Sequence, residues 1–361
     1  MTIFGAQTTD APRFDDEARR YDALLVLSFG GPEGPDDVRP FLANVTAGRN
    51  VPPARLDEVA EHYLHFGGVS PINAQNRALI AALESELAAH GPRLPIYFGN
   101  RNWHPFVTDT IRHMREDGVE RALVFVTSAF SSYSGCRQYR EDVIRALETL
   151  GAETPVFDKL RVFYNHPGYI NPMIARTRAA LDQIPGERRD ATRLVFTAHS
   201  IPLGMARHCA YESQLREASR LIAGGAGVAD HLLAYQSRSG PPQVPWLEPD
   251  ILDVLVALRD EGATDVVVVP VGFISDHMEI LFDLDTEARE TAAELGLNLL
   301  RAQTVGTDPV FVRMIRDLIV ERMTASPARP ALGSRGPSHD VCPLHCCLIG
   351  ADRPAPATAA G

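Results

Sequence analysis

The amino-acid sequence predicts an α/β protein of two similar domains, each with a parallel sheet, facing each other across a cleft. Three observations carry this expectation. Short apolar runs alternate with helix-patterned segments along the chain, as parallel strands joined by crossover helices require. The halves share an order: LLVLSFGGP (24–32) lies over LVFTAHSIP (194–202), and LVFVTSAFSSYSG (123–135) over VVVVPVGFISDHM (266–278), which matches Phe29 with His199. With 361 residues, the chain is long enough for two domains of ordinary size.

Strands are expected in the first half at 23–30, 96–98 and 122–130, and in the second at 194–200, 232–237 and 266–273. Uninterrupted apolar runs such as VVVVPV fit strands buried on both faces. The Pro185-Gly186 pair marks a crossover between halves. The resulting division is a flexible polar arm over 1–20, a first domain over 21–185, a second over 186–326 and a tail over 327–361. The final segment, ADRPAPATAAG, has the composition of a disordered end.

Composition narrows the function. Apolar content of 45% and charged content of 22% are those of a globular protein, and a net charge of −11 argues against nucleic acid as partner. No apolar run approaches the roughly 18 residues of a membrane span. The first residues show no basic segment followed by an apolar one, so a cytoplasmic location is expected. No exposed apolar helix pattern demands a dimer, which leaves a monomer as the expectation. There is no G-x-S-x-G elbow and no G-x-x-x-x-G-K-[ST] loop, and Gly225-Ala-Gly227 precedes a strand where a dinucleotide fingerprint must follow one.

The most informative segment is GFISDHMEILFDLDTE (272–287), placed where a buried strand ends. A helix starting near Ser275 would set Glu279, Asp283 and Glu287 on one face as a carboxylate ridge. Such a ridge is either a solvated acidic face or a path for a cation. The apolar filling by Met278, Ile280, Leu281, Phe282 and Leu284 favours the path, because it implies a helix packed on most sides. His199, at the tip of the matching strand, is a hydrogen-bonded structural residue or a proton acceptor and metal ligand across the same cleft.

Other residues carry weaker signals. FGGVSPI (66–72) is a turn and helix cap, or a close backbone approach in which Ser70 meets a carboxylate. Trp246, in a proline-braced loop, is a packing anchor or a wall for a flat apolar ligand. Of five cysteines, Cys209 reads as a small buried hydrophobe. Cys136 with Cys342, Cys346 and Cys347 supplies four thiolates for an iron–sulfur cluster; zinc would accept the same four, or three with His345.

Together the motifs FGGPEG (29–34), FGGVSPIN (66–73), NRNWHPF (100–106), FTAHSIP (196–202), YQSRSGPPQVPW (235–246) and GFISDHMEILFDLD (272–285) resemble ferrochelatase, from about Asp22 to Val320. The resemblance implies a chelatase-like fold: two Rossmann-like domains enclosing a porphyrin cleft, in which ferrous iron, as substrate, enters the macrocycle. It makes His199 and Glu279 the metal-contacting catalytic pair, one accepting pyrrole protons and the other receiving iron, and extends the metal path to Asp283 and Glu287. It places Tyr63, Ser70 and Tyr139 at the porphyrin, which gives Trp246 a flat ligand to wall. Phe29 falls where some relatives carry a tyrosine, which removes a possible axial oxygen ligand.

The cysteine set is similar to that of the minority of ferrochelatases with a 2Fe-2S cluster, one ligand mid-chain and three in the tail. The polar lip ANVTAGRNVPP (43–53) suits coproporphyrin III, with four propionates, better than protoporphyrin IX, with two. The implied product is Fe-coproporphyrin III (coproheme), an intermediate of heme b biosynthesis, handed to the next enzyme of that pathway. A protoporphyrin IX ferrochelatase, a cobalt or nickel chelatase, a non-catalytic porphyrin carrier and an iron–sulfur redox sensor are the competing readings.

Overall fold

The computed structural model describes residues 11–48, 51–153, 155–240 and 243–350 of the 361. The expected disordered end, 351–361, and part of the lip lie outside the described residues. In chain order the first half contains β1 (Ala23–Ser28), α1 (Val38–Thr46), α2 (Pro53–His65), α3 (Ile72–His90), β2 (Ile96–Asn100) and α4 (Val107–Glu116). It continues with β3 (Arg121–Val126), α5 (Gln138–Thr149), β4 (Val156–Lys159), α6 (Pro167–Leu181) and α7 (Gly186–Arg189). The second half contains β5 (Arg193–His199), α8 (Leu203–Ala206), α9 (Tyr211–Ala226), β6 (Leu232–Gln236), α10 (Ile251–Asp260) and β7 (Asp265–Val269). It ends with α11 (Met278–Phe282), α12 (Arg289–Glu294), β8 (Asn298–Arg301) and α13 (Pro309–Met323).

Two four-stranded sheets form, ordered β2-β1-β3-β4 and β6-β5-β7-β8, and every pairing is parallel. The orders are equivalent, so β1 corresponds to β5 and β3 to β7, as the internal overlay requires. All residues of β1 and β7 are buried, which is why they read as unbroken apolar runs. β4 (VFDK) and β8 (NLLR) were not expected. Each is a four-residue sheet edge with charged or polar positions, and such a strand leaves little apolar signal.

The sheets share one core. A single buried cluster joins Leu24 and Leu123 to Phe196 and Val267 through Tyr169, Met173, Phe311 and Ile315. Its bridging members come from α6 and α13: α6 packs on α9 and β7, while α13 packs on α3 and α6. Tyr169 Oη donates to Val271 O at 2.5 Å, fixing α6 beside the end of β7. The chain therefore turns toward the second sheet soon after β4, before the Pro185-Gly186 pair.

The arm and the tail interlock. Arg13 and Val341 exchange backbone hydrogen bonds of 3.3 and 3.1 Å. Buried Arg322 faces Asp15 at 3.0 Å and Asp158 and Asp340 at 3.7 Å, and Arg329 reaches Asp340 at 2.9 Å. Burial pushes the Asp15 carboxyl up, but its hydrogen bond with Arg19 and the charge of Arg322 outweigh this and hold it below the ordinary range. The arm expected to be flexible over 1–20 is thus anchored from Arg13 onward; residues 1–10 lie outside the described residues. The binding partners were hidden from the sequence because they lie some three hundred residues away.

Arg161 and Glu321 form a buried bidentate pair at 2.8 and 2.9 Å, and Arg161 also donates to Pro330 O at 3.1 Å. Removing one partner strands the other charge inside. Arg161→Met is expected to cost about 3–5 kcal/mol in urea unfolding, while Arg161→Met with Glu321→Leu recovers most of it. Equal losses in the single and double variants would contradict this account.

Candidate functional site

The site is built at the carboxyl ends of the second sheet. His199 ends β5 and lies in register with Gln236, the last residue of β6. The loop after β7 then passes directly over the β5 tip. Gly272 N donates to Thr197 O at 3.0 Å, and a Cβ at Gly272 would lie 2.6 Å from the Ala198 Cβ. Only glycine permits this crossing, and the crossing delivers the following acidic segment to His199.

The helix begins at Met278, three residues later than the expected start near Ser275. His277 is its cap: Nδ1 accepts from Glu279 N at 3.3 Å, satisfying an amide the first turn would leave orphaned. After Phe282 the chain widens into a π-helical turn, Asp283–Ala288. Asp283 remains inside, whereas Glu287 emerges exposed. The ridge thus runs from the surface inward.

His199 Nε2 stands 3.6 Å from Glu279 Oε1, both side chains about one-third exposed at 32% and 39%. His199 Nδ1 contacts Ser200 O. A carbonyl can only accept, so Nδ1 carries the hydrogen and, in the neutral ring, the Nε2 lone pair faces the cleft. Tyr211 Oη donates to His199 O at 3.0 Å and fixes its backbone.

Gln236 Nε2 donates to Glu279 O at 3.0 Å and to Asp283 Oδ2 at 3.3 Å, and Ser237 Oγ donates to the same carboxylate oxygen. Ser237 adopts φ 62°, a left-handed conformation uncommon for serine. Burial, reinforced by the charges of Glu279 and Glu287 against the Ser237 hydrogen bond, pushes Asp283 up to about 7. Burial and nearby Asp250 likewise raise Glu287. Gln236, Ser237 and His277 were missed in the sequence. The signal available was the polar QS pair closing the apolar LLAY strand.

The first domain supplies the facing wall. Tyr63 is close enough to Glu279 and Asp283 for their charges to reinforce burial in raising its phenol. His62 stacks on Phe282 with ring centroids 3.8 Å apart, and Gln75 Nε2 donates to Asp276 O at 2.7 Å, so α2 and α3 both touch the acidic segment. The Arg101 guanidinium lies 5.8 Å from the Phe29 ring centroid and 5.0 Å from that of Tyr139, and it pairs with Asp142. Phe29 and Tyr139 are therefore brought together by a residue that sequence reasoning passed over. Ser70 and Trp246 are buried. Ser70 N donates to Pro32 O at 2.8 Å, and Trp246 bridges Pro202, three positions beyond His199.

A second centre lies behind β4. Cys136 contacts Cys342 and Cys347, Cys342 also contacts Cys346, and the Cys346 and Cys347 sulfurs are 3.5 Å apart. The four thiols thus contact one another in a ring and, with Lys159, Arg322, Asp158 and Asp340, line a cavity of about 30 Å³. Lys159 faces all four, and Arg137 donates to Leu344 O at 2.8 Å and Cys346 O at 3.0 Å. Four thiols beside fixed cations fit a cluster whose thiolate ligands carry net negative charge. His345, considered as a zinc ligand, is exposed; the imidazole at the centre is His339, whose nitrogen lies within 4.8 Å of the Cys342 and Cys346 sulfurs. Cys209 stays apart, its thiol donating to Met205 O and Ala206 O at 3.5 Å and pushed up to about 11 by burial.

The raised Asp283 carboxyl gives a pH dependence of defined sign. A group titrating higher when folded contributes stability below its unfolded value and loses it as pH rises through the folded one. Relative to wild type, Asp283→Asn should therefore gain stability as pH goes from 4 to 7 and level off above, measured by denaturant unfolding. A constant difference across that window would contradict the buried carboxyl.

Comparison with known proteins supplies the context. The family model described as ferrochelatase matches residues 21–323. A ferrochelatase of Rhodopirellula baltica is 55% identical over 335 residues, covering 92% of this chain and 95% of that protein. Coproporphyrin III ferrochelatases of Streptomyces griseus and Nocardia farcinica are 52% and 56% identical, covering 94% and 84% of this chain and 96% and 88% of theirs. The solved structure of SirB from Bacillus subtilis with Fe3+ aligns at TM-score 0.50 and 14% identity over 83% of this chain and 96% of that one, a likeness of fold alone. A family match running through both sheets, with relatives more than half identical along most of the chain, makes this protein a member of the ferrochelatase family.

Proposed function

We propose that the protein inserts ferrous iron into coproporphyrin III, with His199 and Glu279 as the catalytic pair. The observation that carries this reading is His199 Nε2 standing 3.6 Å from the Glu279 carboxylate where the sheet ends meet. Two pyrrole protons must leave as one divalent ion enters, so insertion needs a base and a metal-receiving oxygen on hand. His199 Nε2 takes a proton while Nδ1 stays tied to Ser200 O. Glu279, about one-third exposed and with its backbone held by Gln236, receives the iron. Asp283 and Glu287 lead the cation inward, and Asp283, titrating near neutrality, also serves to pass protons outward.

Tyr63, Phe29, Tyr139, Ser70 and Trp246 form the porphyrin side of the cleft, with Arg101 bracing Phe29 and Tyr139. The polar lip and the names of the Streptomyces and Nocardia relatives favour coproporphyrin III over protoporphyrin IX. Among the described residues no helix is long and apolar enough to cross a membrane. The reading extends to a cytoplasmic monomer that passes its product on.

Cys136, Cys342, Cys346 and Cys347 are the proposed ligands of a 2Fe-2S cluster, supported by their convergence on one cavity beside Lys159 and Arg137. When bound, a cluster supplies a one-electron centre and a cross-link between tail and first domain. In this chain Cys136 holds the first-domain end of that link. Cys136→Ser is expected to lower the melting temperature by several degrees, and the same melt with and without the substitution would remove the cross-link.

The direct test is anaerobic insertion of ferrous iron followed by porphyrin absorbance, with coproporphyrin III and protoporphyrin IX in parallel. His199→Ala should lose on the order of 10²–10⁴-fold in rate while still binding porphyrin. Binding without insertion by the wild-type protein would favour a carrier, and faster insertion of cobalt than of iron would favour another chelatase.

A further inference from the structure

The tail does not end its course at the thiol centre. Cys347 takes φ 55°, a left-handed conformation that reverses the chain where a non-glycine residue rarely goes. Ile349 then packs into the core shared by both sheets. Gly350 reaches α8, the helical turn that follows His199. Its φ is +88°, and a Cβ there would lie 2.6 Å from Gly204 O, 2.7 Å from Gly204 C and 3.1 Å from Met205 N. The two backbones are in direct contact, with no side chain between them.

What Gly350 backs is the frame of His199. Upstream, α8 is entered through Pro202, which bridges Trp246, and Leu247 N donates to Ile201 O at 3.0 Å. Downstream, the carbonyls of buried Met205 and half-buried Ala206 accept from the Cys209 thiol, and the chain then reaches Tyr211, whose hydroxyl holds His199 O at 3.0 Å. A shift of α8 therefore disturbs the loop leaving His199 and the tyrosine that fixes it. Four consecutive residues, 347–350, join the thiol ring to this frame.

From this contact we infer that residues 347–350 are a positioning element for His199. The thiol centre fixes the start of the segment, Gly350 supports the α8 turn, and the turn keeps the imidazole aligned with Glu279. Occupancy of the thiol centre thereby governs the geometry of iron insertion, although no cysteine touches iron or porphyrin in the cleft. The inference rests on the insertion reading given above.

Two measurements test it, both on the full chain with its thiol centre loaded. In Gly350→Val, whose side chain cannot fit against Gly204, ferrous insertion into coproporphyrin III should fall about 10- to 100-fold in kcat. KM for the porphyrin should stay within about twofold, because the porphyrin wall is untouched. Amide exchange over 203–211 should rise while β1 and β5 remain protected, which separates loss of the brace from global unfolding. Wild-type kcat in this variant, or unchanged exchange over 203–211, would overturn the inference. The second measurement is exchange in wild-type protein before and after removal of the cluster iron. Faster exchange over 203–211 on removal is expected, and an unchanged pattern overturns the link to the thiol centre. Failure of wild-type protein to insert iron would instead refute the insertion reading, while the exchange comparison would still decide whether tail and turn are coupled.

Discussion

Everything at the cleft depends on two parallel sheets being held at a fixed distance by helices that belong to both. α6 and α13 place their apolar faces in one continuous core with residues of either sheet, so the sheets do not meet through a polar, separable interface. A His–carboxylate separation of 3.6 Å and a stacked His62–Phe282 pair across the cleft are meaningful only on such a frame. Dense interiors deform little, and that stiffness keeps the two walls of the cleft at a set spacing.

The cleft departs from what stability alone would select. Three carboxylates gather on one short segment; the charge of Arg55 reaches Glu287, while the most buried, Asp283, is kept by a serine hydroxyl and a glutamine amide. By contrast, Asp276 and Asp285 in the same stretch are both paired with Arg301, at 2.9 and 2.7 Å. The segment thus divides its acids into a pair held down by Arg301 and a row that faces the cleft. Left-handed Ser237 and the π-helical turn belong to the same arrangement, local conformations that favourable packing elsewhere sustains.

Much of this was legible in the sequence, for physical reasons that differ by element. Central strands β1, β3, β5 and β7 were readable because burial on both faces writes them in uninterrupted apolar letters. Edge strands β4 and β8 were not, since one side of each lacks that demand. Membership of the chelatase fold and of the ferrochelatase family followed from motifs at strand ends. The helix start was misplaced by three residues because Ser275 has the character of a cap, while His277 does the capping. Arg101, Gln236 and His339 were overlooked because their importance comes from what tertiary structure puts beside them. The anchoring of the arm by Asp15 and Arg322 depends on a pairing across nearly the whole chain and leaves no local trace.

The two donor sets also differ in the kind of cation they suit. The cleft offers an imidazole nitrogen and carboxylate oxygens in a negative field open to the surface through Glu287. The centre behind β4 offers sulfur, half-buried at Cys342 and Cys346 and faced by Lys159 and Arg137. Soft thiolates retain iron that harder oxygen donors release readily. An acidic entrance draws free divalent ions, whereas fixed positive charge beside the thiols repels them. The two donor sets therefore differ both in ligand hardness and in the sign of the charges fixed beside them, within a single polypeptide.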